Sequence, residues 1–231
     1  MQRLKVLLLA AMAVFAVGAA FSATAFGGIE ALDEANKPAK ASFKGLSAVK
    51  TDLGVLNESQ LVLCGETHTE GELEATGKLG PFHISFLKCD TSSGGTCTGL
   101  GDPSGTILAL GVIHLATAAL NLNVGLVEFL TEHLHFECTV LFVKKLILVL
   151  GDYLCKIEPI NVLVEKAKVK CLRGANHGDP WLVEYENDKG EDVTLANPLK
   201  ATTSDGVEEM ASEESSAAIE VTLTPKVKLD V

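Results

Sequence analysis

At 231 residues, 47 % hydrophobic and with a formal charge of −11, the chain can build one substantial core and is too apolar for intrinsic disorder. Its acidity argues against nucleic acid as a partner, because phosphate backbones repel it at long range, and the same holds for anionic lipid surfaces.

Arg3 and Lys5 open the chain and precede an apolar and small-residue run over residues 6–21, the make-up of a secretory signal peptide. Small residues alternate in Ala23-Thr24-Ala25, so cleavage is expected after Ala25 and residues 1–25 form the leader; retained, the same run would be an anchor. No cysteine follows the run closely enough for a lipid anchor. The expected location is secreted or extracytoplasmic, in the cell envelope, with no membrane contact after signal cleavage. Residues 26–40 show no sustained period and read as a linker, which leaves 41–231 as a single disulfide-stabilised β domain.

Along that domain the apolar residues recur with period two. Phe82, Ile84 and Phe86 line one face of a strand running into Cys89. Residues 107–130 mix helix-favouring Leu and Ala with Gly111, Gly125 and an alternating Asn121-Leu122-Asn123-Val124, and are read as strands. Leu134, Phe136, Cys138, Val140 and Phe142 share the inward face of the next strand. Gly151-Asp152 is a candidate hairpin turn. Ala167, Val169 and Cys171 point inward, with Lys166, Lys168 and Lys170 as a solvated row. Asn187-Asp188-Lys189-Gly190 reads as a second hairpin turn, and the acidic stretch 204–216 as an exposed loop. Ile219, Val221, Leu223, Val227 and Leu229 define a last strand with Pro225 marking an edge or bulge. Many short strands and few helix signals predict an all-β fold, an antiparallel sandwich or barrel-like domain.

Cys64, Cys89, Cys97, Cys138, Cys155 and Cys171 all follow the leader, and an even number in an exported chain points to disulfides. Cys89 and Cys97 enclose a turn-forming stretch and are the pair expected first; Cys138 with Cys155 is the second expectation.

His133, His135 and Glu137 project from one side of a strand and form a candidate metal set, against the plainer reading of a polar outer face. The row is similar to the metal-binding strand of cupins, from which its glutamate spacing and flanking glycines depart. Gly65-Glu66-Thr67-His68, after Leu61-Val62-Leu63, resembles the Gly-Glu-x-His strand end of erythromycin-esterase-like and haem-uptake-lipoprotein-like hydrolases. That likeness implies a base and a ligand, but those families are long α/β chains. Cys64-Gly65-Glu66-Thr67 through Gly71-Glu72-Leu73, then Phe86-Leu87-Lys88-Cys89, then Cys97, resembles uncharacterised exported cysteine-containing β proteins of soil actinobacteria. The resemblance covers about the first half of the mature domain. It implies a signal peptide, an early cysteine before a Gly-Glu strand and a cysteine-closed turn, and it brings no known activity.

Serine nucleophile elbows, phosphate loops and calcium loops are absent. The expected role is therefore a non-enzymatic secreted or cell-envelope β domain for binding or structure, with no catalytic residue and no cofactor assigned. A cell surface or a small apolar ligand within a barrel are the candidate partners. The alternative is a secreted metal-dependent enzyme or metal binder on His133, His135 and Glu137, with His68 or His83 completing the shell.

Overall fold

The structure, a computed structural model, describes residues 29–48, 50–55, 60–118, 121–171, 184–186, 192–194, 199–204, 206, 208–215 and 217–230; the expected leader lies outside them. Alternating apolar and polar side chains can bury one set only by forming strands with a dry and a wet face. The described strands are β1 (Glu30–Leu32), β2 (Ala41–Ser47), β3 (Thr51–Val55), β4 (Gln60–Leu73), β5 (Leu79–Thr91), β6 (Thr96–Gly99), β7 (Thr106–Ala118), β8 (Asn121–Val140), β9 (Val143–Glu158), β10 (Leu163–Cys171), β11 (Glu184–Glu186), β12 (Asp192–Thr194), β13 (Lys200–Thr203), β14 (Glu208–Ser215) and β15 (Ile219–Asp230). No described residue is helical, so the chain is all-β. Residues 103–127 contain no Asp, Glu, Lys or Arg, yet their described part forms β7 and the start of β8, buried on both faces at 115–118 and from Gly125 onward, and no described helix is long and apolar enough to cross a membrane.

Every pairing is antiparallel, and the pairings close on themselves. β2, β4, β5, β7, β8, β9, β10 and β15 form a ring that ends where β15 meets β2. A second ring takes β3, β4, β5, β6, β8, β9, β13 and β14, with β14 closing on β3. The long strands β4, β5, β8 and β9 belong to both. The short ones come in collinear pairs: β2 with β3 along β4, β6 with β7 between β5 and β8, β10 with β13 along β9, and β14 with β15. The result is an up-and-down barrel in two tiers whose rings close on themselves, with β1 on β15 and the β11–β12 hairpin on β7 as the terminal strands of the sheet.

One core fills both tiers. The buried positions change parity at the waist, from Cys64 to Thr67 on β4, from Phe86 to Cys89 on β5 and from Phe129 to Leu134 on β8. Each change coincides with a residue that leaves the alternation: Gly65 and Lys88, one on each strand and opposed without a shift of register, Lys88 with a φ of 57°, and a register jump between Thr131 and Leu134 on β8. Such a residue returns the following side chains to the inner face, so the tiers face the same axis. The outer wall is charged, with Lys40 on Glu72, Lys44 on Glu70, Lys88 on Glu66 and Lys166 on Glu220. An apolar interior and charged exterior is the reverse of a transmembrane barrel.

Several expectations need correction. Residues 29–40, read as a linker, close the lower end of the barrel: Ile29 and Ala31 are fully buried, β1 pairs with β15, and the Ala31 N–H donates to the Gly77 carbonyl. Three residues are too short a strand for periodicity to reveal. Gly151-Asp152 is no turn, since β9 runs through it; the φ of 113° at Gly151 bends the strand opposite the β8 bulge. The acidic stretch contains β14, held between β13 and β3 by ladder hydrogen bonds that its composition does not announce. The 187–190 turn lies outside the described residues, although β11 and β12 do pair as its hairpin arms.

The three disulfides are Cys64–Cys89, Cys97–Cys138 and Cys155–Cys171. Neither the Cys89 to Cys97 bridge nor the Cys138 to Cys155 bridge forms. Each observed bridge joins direct register partners on adjacent strands, with Cα atoms 4.0 to 4.2 Å apart. Cys89 and Cys97 do flank one hairpin, with Asp90 opposite Thr96. β4 and β8 lie on its two sides, however, and bring Cys64 and Cys138 into direct opposition.

Candidate functional site

The nominated metal row sits on β8 in the upper tier. Leu134, Phe136 and Cys138 are buried, while His135 and Glu137 face outward. Glu137 accepts a hydrogen bond from Lys144 at 2.7 Å. The neighbouring β9 sets Leu148 opposite His135 and Leu146 opposite Glu137, where further ligands would be needed. The His133 side chain lies outside the described set. His68 and His83 stand on β4 and β5, with β7 between β5 and the metal row's strand. Among the described residues, no group of three His, Cys, Asp or Glu is arranged to hold a metal ion.

Gly65-Glu66-Thr67-His68 lies in the middle of β4, not at a strand end. Thr67 points inward and its hydroxyl meets that of Thr51 at 2.9 Å, both residues fully buried. Glu66 pairs with Lys88, which holds its carboxyl below the usual range. On the same outer wall His83 Nε2 lies 3.4 Å from Ser85 Oγ, and His83 Nδ1 lies 3.6 Å from Glu70 Oε1. The order of groups is that of a hydrolase triad. Ser85 is nevertheless laddered on both sides, to His68 and Leu108, so the sheet leaves no backbone donors there for an oxyanion.

A second polar group was not foreseen. His114 and Glu128 are register partners on β7 and β8, with Nδ1 and Oε2 3.4 Å apart and Glu128 buried. Asp152 joins them from β9, its carboxyl pushed up to about 6, first by burial and then by the Glu128 charge, with His114 opposing. Three strands contribute one residue each, so no spacing along the chain announces the cluster. The available signal was Glu128 itself, the acid that interrupts a long uncharged run.

The lower tier encloses an apolar cavity of about 50 Å³, lined by residues of all eight strands of its ring, among them Phe43, Ile84, Leu115, Phe129, Tyr153 and Leu223. Phe129 stacks on Tyr153 with centroids 4.9 Å apart and meets Phe82 edge-on at 5.1 Å. Pockets for small molecules are commonly ~300–1,000 Å³, so a ligand of lipid size would have to displace these side chains.

The upper rim differs. β8 and β9 are joined by a two-residue turn, with Val140 opposite Val143. Leu141 and Phe142 both take positive φ, 48° and 70°, the pattern of a type I′ turn that Asn-Gly suits best. Their side chains are 87 % and 101 % exposed, and Val143 is 68 % exposed. Phe142, expected to face inward, therefore stands in solvent: the alternation is real as far as Cys138, but the strand ends before it reaches Phe142. The β6 ladder follows β8 to Thr139, and on β9 the β13 ladder reaches Ile147 with the Ser204 N–H donating to the Leu146 carbonyl, so only the closing turn and Val143 to Lys145 extend past these pairings.

No protein-family model, curated protein or solved structure matches this chain. The apex can do no covalent chemistry. It can bury apolar surface against something else.

Proposed function

We propose that this chain is a non-enzymatic binding module of the secreted or cell-envelope compartment, a rigid barrel that presents the apex at Leu141 and Phe142 to a partner. One observation carries the reading: two bulky residues hold left-handed backbone with their apolar side chains in water. Such backbone costs ~1–3 kcal/mol per residue, and neither side chain returns that cost by filling the core. An Asn-Gly turn would close the same hairpin with less strain. Backbone outliers under exposed apolar side chains are a signature of contact sites. Three disulfides support the compartment, since such bonds persist where the surroundings are oxidising.

Two measurements test this reading. Intact mass of the exported protein should start at Phe26 and gain six hydrogens on reduction; free thiols would overturn the compartment. Screening against ester, glycoside and phosphate substrates should give no turnover. Turnover abolished by Ser85→Ala or Glu128→Gln would overturn the non-enzymatic role.

A further inference from the structure

We propose that the apex is a bilayer-docking tip, in which Leu141, Phe142 and Val143 enter the interfacial layer of a phospholipid membrane with Lys144 and Lys145 at headgroup depth. The proposal rests on the apex being a contact element and names its partner. It also revises the expectation of no membrane contact after signal cleavage.

Shape and area argue for a bilayer over a protein. An aromatic side chain offers ~150–250 Å², and the three apex residues together on the order of 400 Å². Each side of a stable protein interface gives ~800 Å². On the wall next to the tip only Leu146 and Leu150 add exposed apolar surface, each less than half exposed. Among the described residues, the other turns at this end are polar, with Ser92, Ser93, Gly94 and Gly95 between β5 and β6, and Ser204 and Gly206 between β13 and β14. A convex apolar point suits an interface in which side chains sink ~5–10 Å.

Charge fits the same depth. Lys144 and Lys145 follow Val143 directly, and successive strand residues point to opposite faces, so a cation stands on each side of the hairpin. At ~3.3 Å per residue they lie ~3 and ~7 Å below Val143, within reach of lipid phosphates when the tip is immersed. Lys144 is anchored by Glu137. The formal charge of −11 disfavours strongly anionic membranes, so zwitterionic lipid is the expected surface and apolar insertion the main attraction.

The test uses the exported protein and phosphatidylcholine vesicles in a flotation assay. Leu141→Asn combined with Phe142→Gly supplies the preferred turn residues, so this variant should melt at a higher temperature while its vesicle partitioning falls at least tenfold. Phe142→Trp should keep binding, with an added emission that shifts to the blue and is quenched by brominated acyl chains. Wild-type protein that does not float, or a variant that floats equally well, overturns the bilayer proposal. Binding confined to phosphatidylglycerol vesicles and lost at ~0.5 M salt also overturns it, because charge alone would then be responsible. No flotation alongside a higher melting temperature leaves a protein pocket as the partner and the contact element intact. A lower melting temperature in the Asn-Gly variant would show Leu141 and Phe142 to be structural, and would overturn the contact reading itself.

Discussion

Asp152 shows how one side chain couples this fold to pH. Its carboxyl is pushed up to about 6 by burial and by Glu128, against ~3.9 in an unfolded chain. Between those values the native state holds more protons than the unfolded state, so stability falls as pH rises from ~4 to ~6 and stays lower above that window. A fully buried group with this shift would cost ~3 kcal/mol; Asp152 is partly exposed, and solvent screening reduces the figure to ~1 kcal/mol. Asp152→Asn should therefore melt higher than wild type at pH 7, with the difference gone by pH 4. A variant less stable than wild type at pH 7 would show that the ionised carboxylate is needed. Spacing along the chain could not reveal this environment, since His114, Glu128 and Asp152 meet only through the ladders of β7, β8 and β9.

The short strands are the elements most dependent on their covalent ties. β10 meets β9 through four register pairs, and the last of them is the Cys155–Cys171 bridge. Its cysteines are 16 residues apart, a loop whose closure contributes ~3 kcal/mol in the chain-entropy account. Replacing both by alanine should lower stability by about that amount and raise amide exchange over β10 before exchange rises in β4 or β5. Uniform exchange across the barrel would mean that the bridge constrains only the unfolded chain. β10 and β15 were legible because Ala167, Val169 and Cys171, and Ile219, Val221 and Leu223, alternate cleanly with charged or hydroxyl residues. β14 was not: its acidic residues carry little apolar signal, and neighbouring backbones hold it in place.

For the whole molecule, the decisive feature is that β4, β5, β8 and β9 run through both tiers. The tiers share these strands and one continuous core, so neither can unfold without breaking the other's walls. Thermal unfolding of the oxidised protein should give one transition, coincident by far-ultraviolet and near-ultraviolet circular dichroism. Two separated transitions would show that the waist, where Gly65 and Lys88 leave the alternation and β8 jumps register between Thr131 and Leu134, divides the barrel into independent units.

The amino-acid order by itself determined which side chains face inward over most strands, because side-chain alternation is local and needs no partner. It determined the all-β class for the same reason, and placed His135 and Glu137 opposite the buried Leu134, Phe136 and Cys138. Tertiary structure alone decided what depends on register between distant segments: the closure of both rings, the partner of each cysteine, the burial of Ile29, Ala31 and Leu32, and the meeting of His114, Glu128 and Asp152. It also decided where alternation stops. The period that orders Leu134, Phe136 and Cys138 extends on paper to Phe142. The pairing of Val140 with Val143 turns the chain first, and so converts an expected core residue into the most exposed apolar side chain among the described residues.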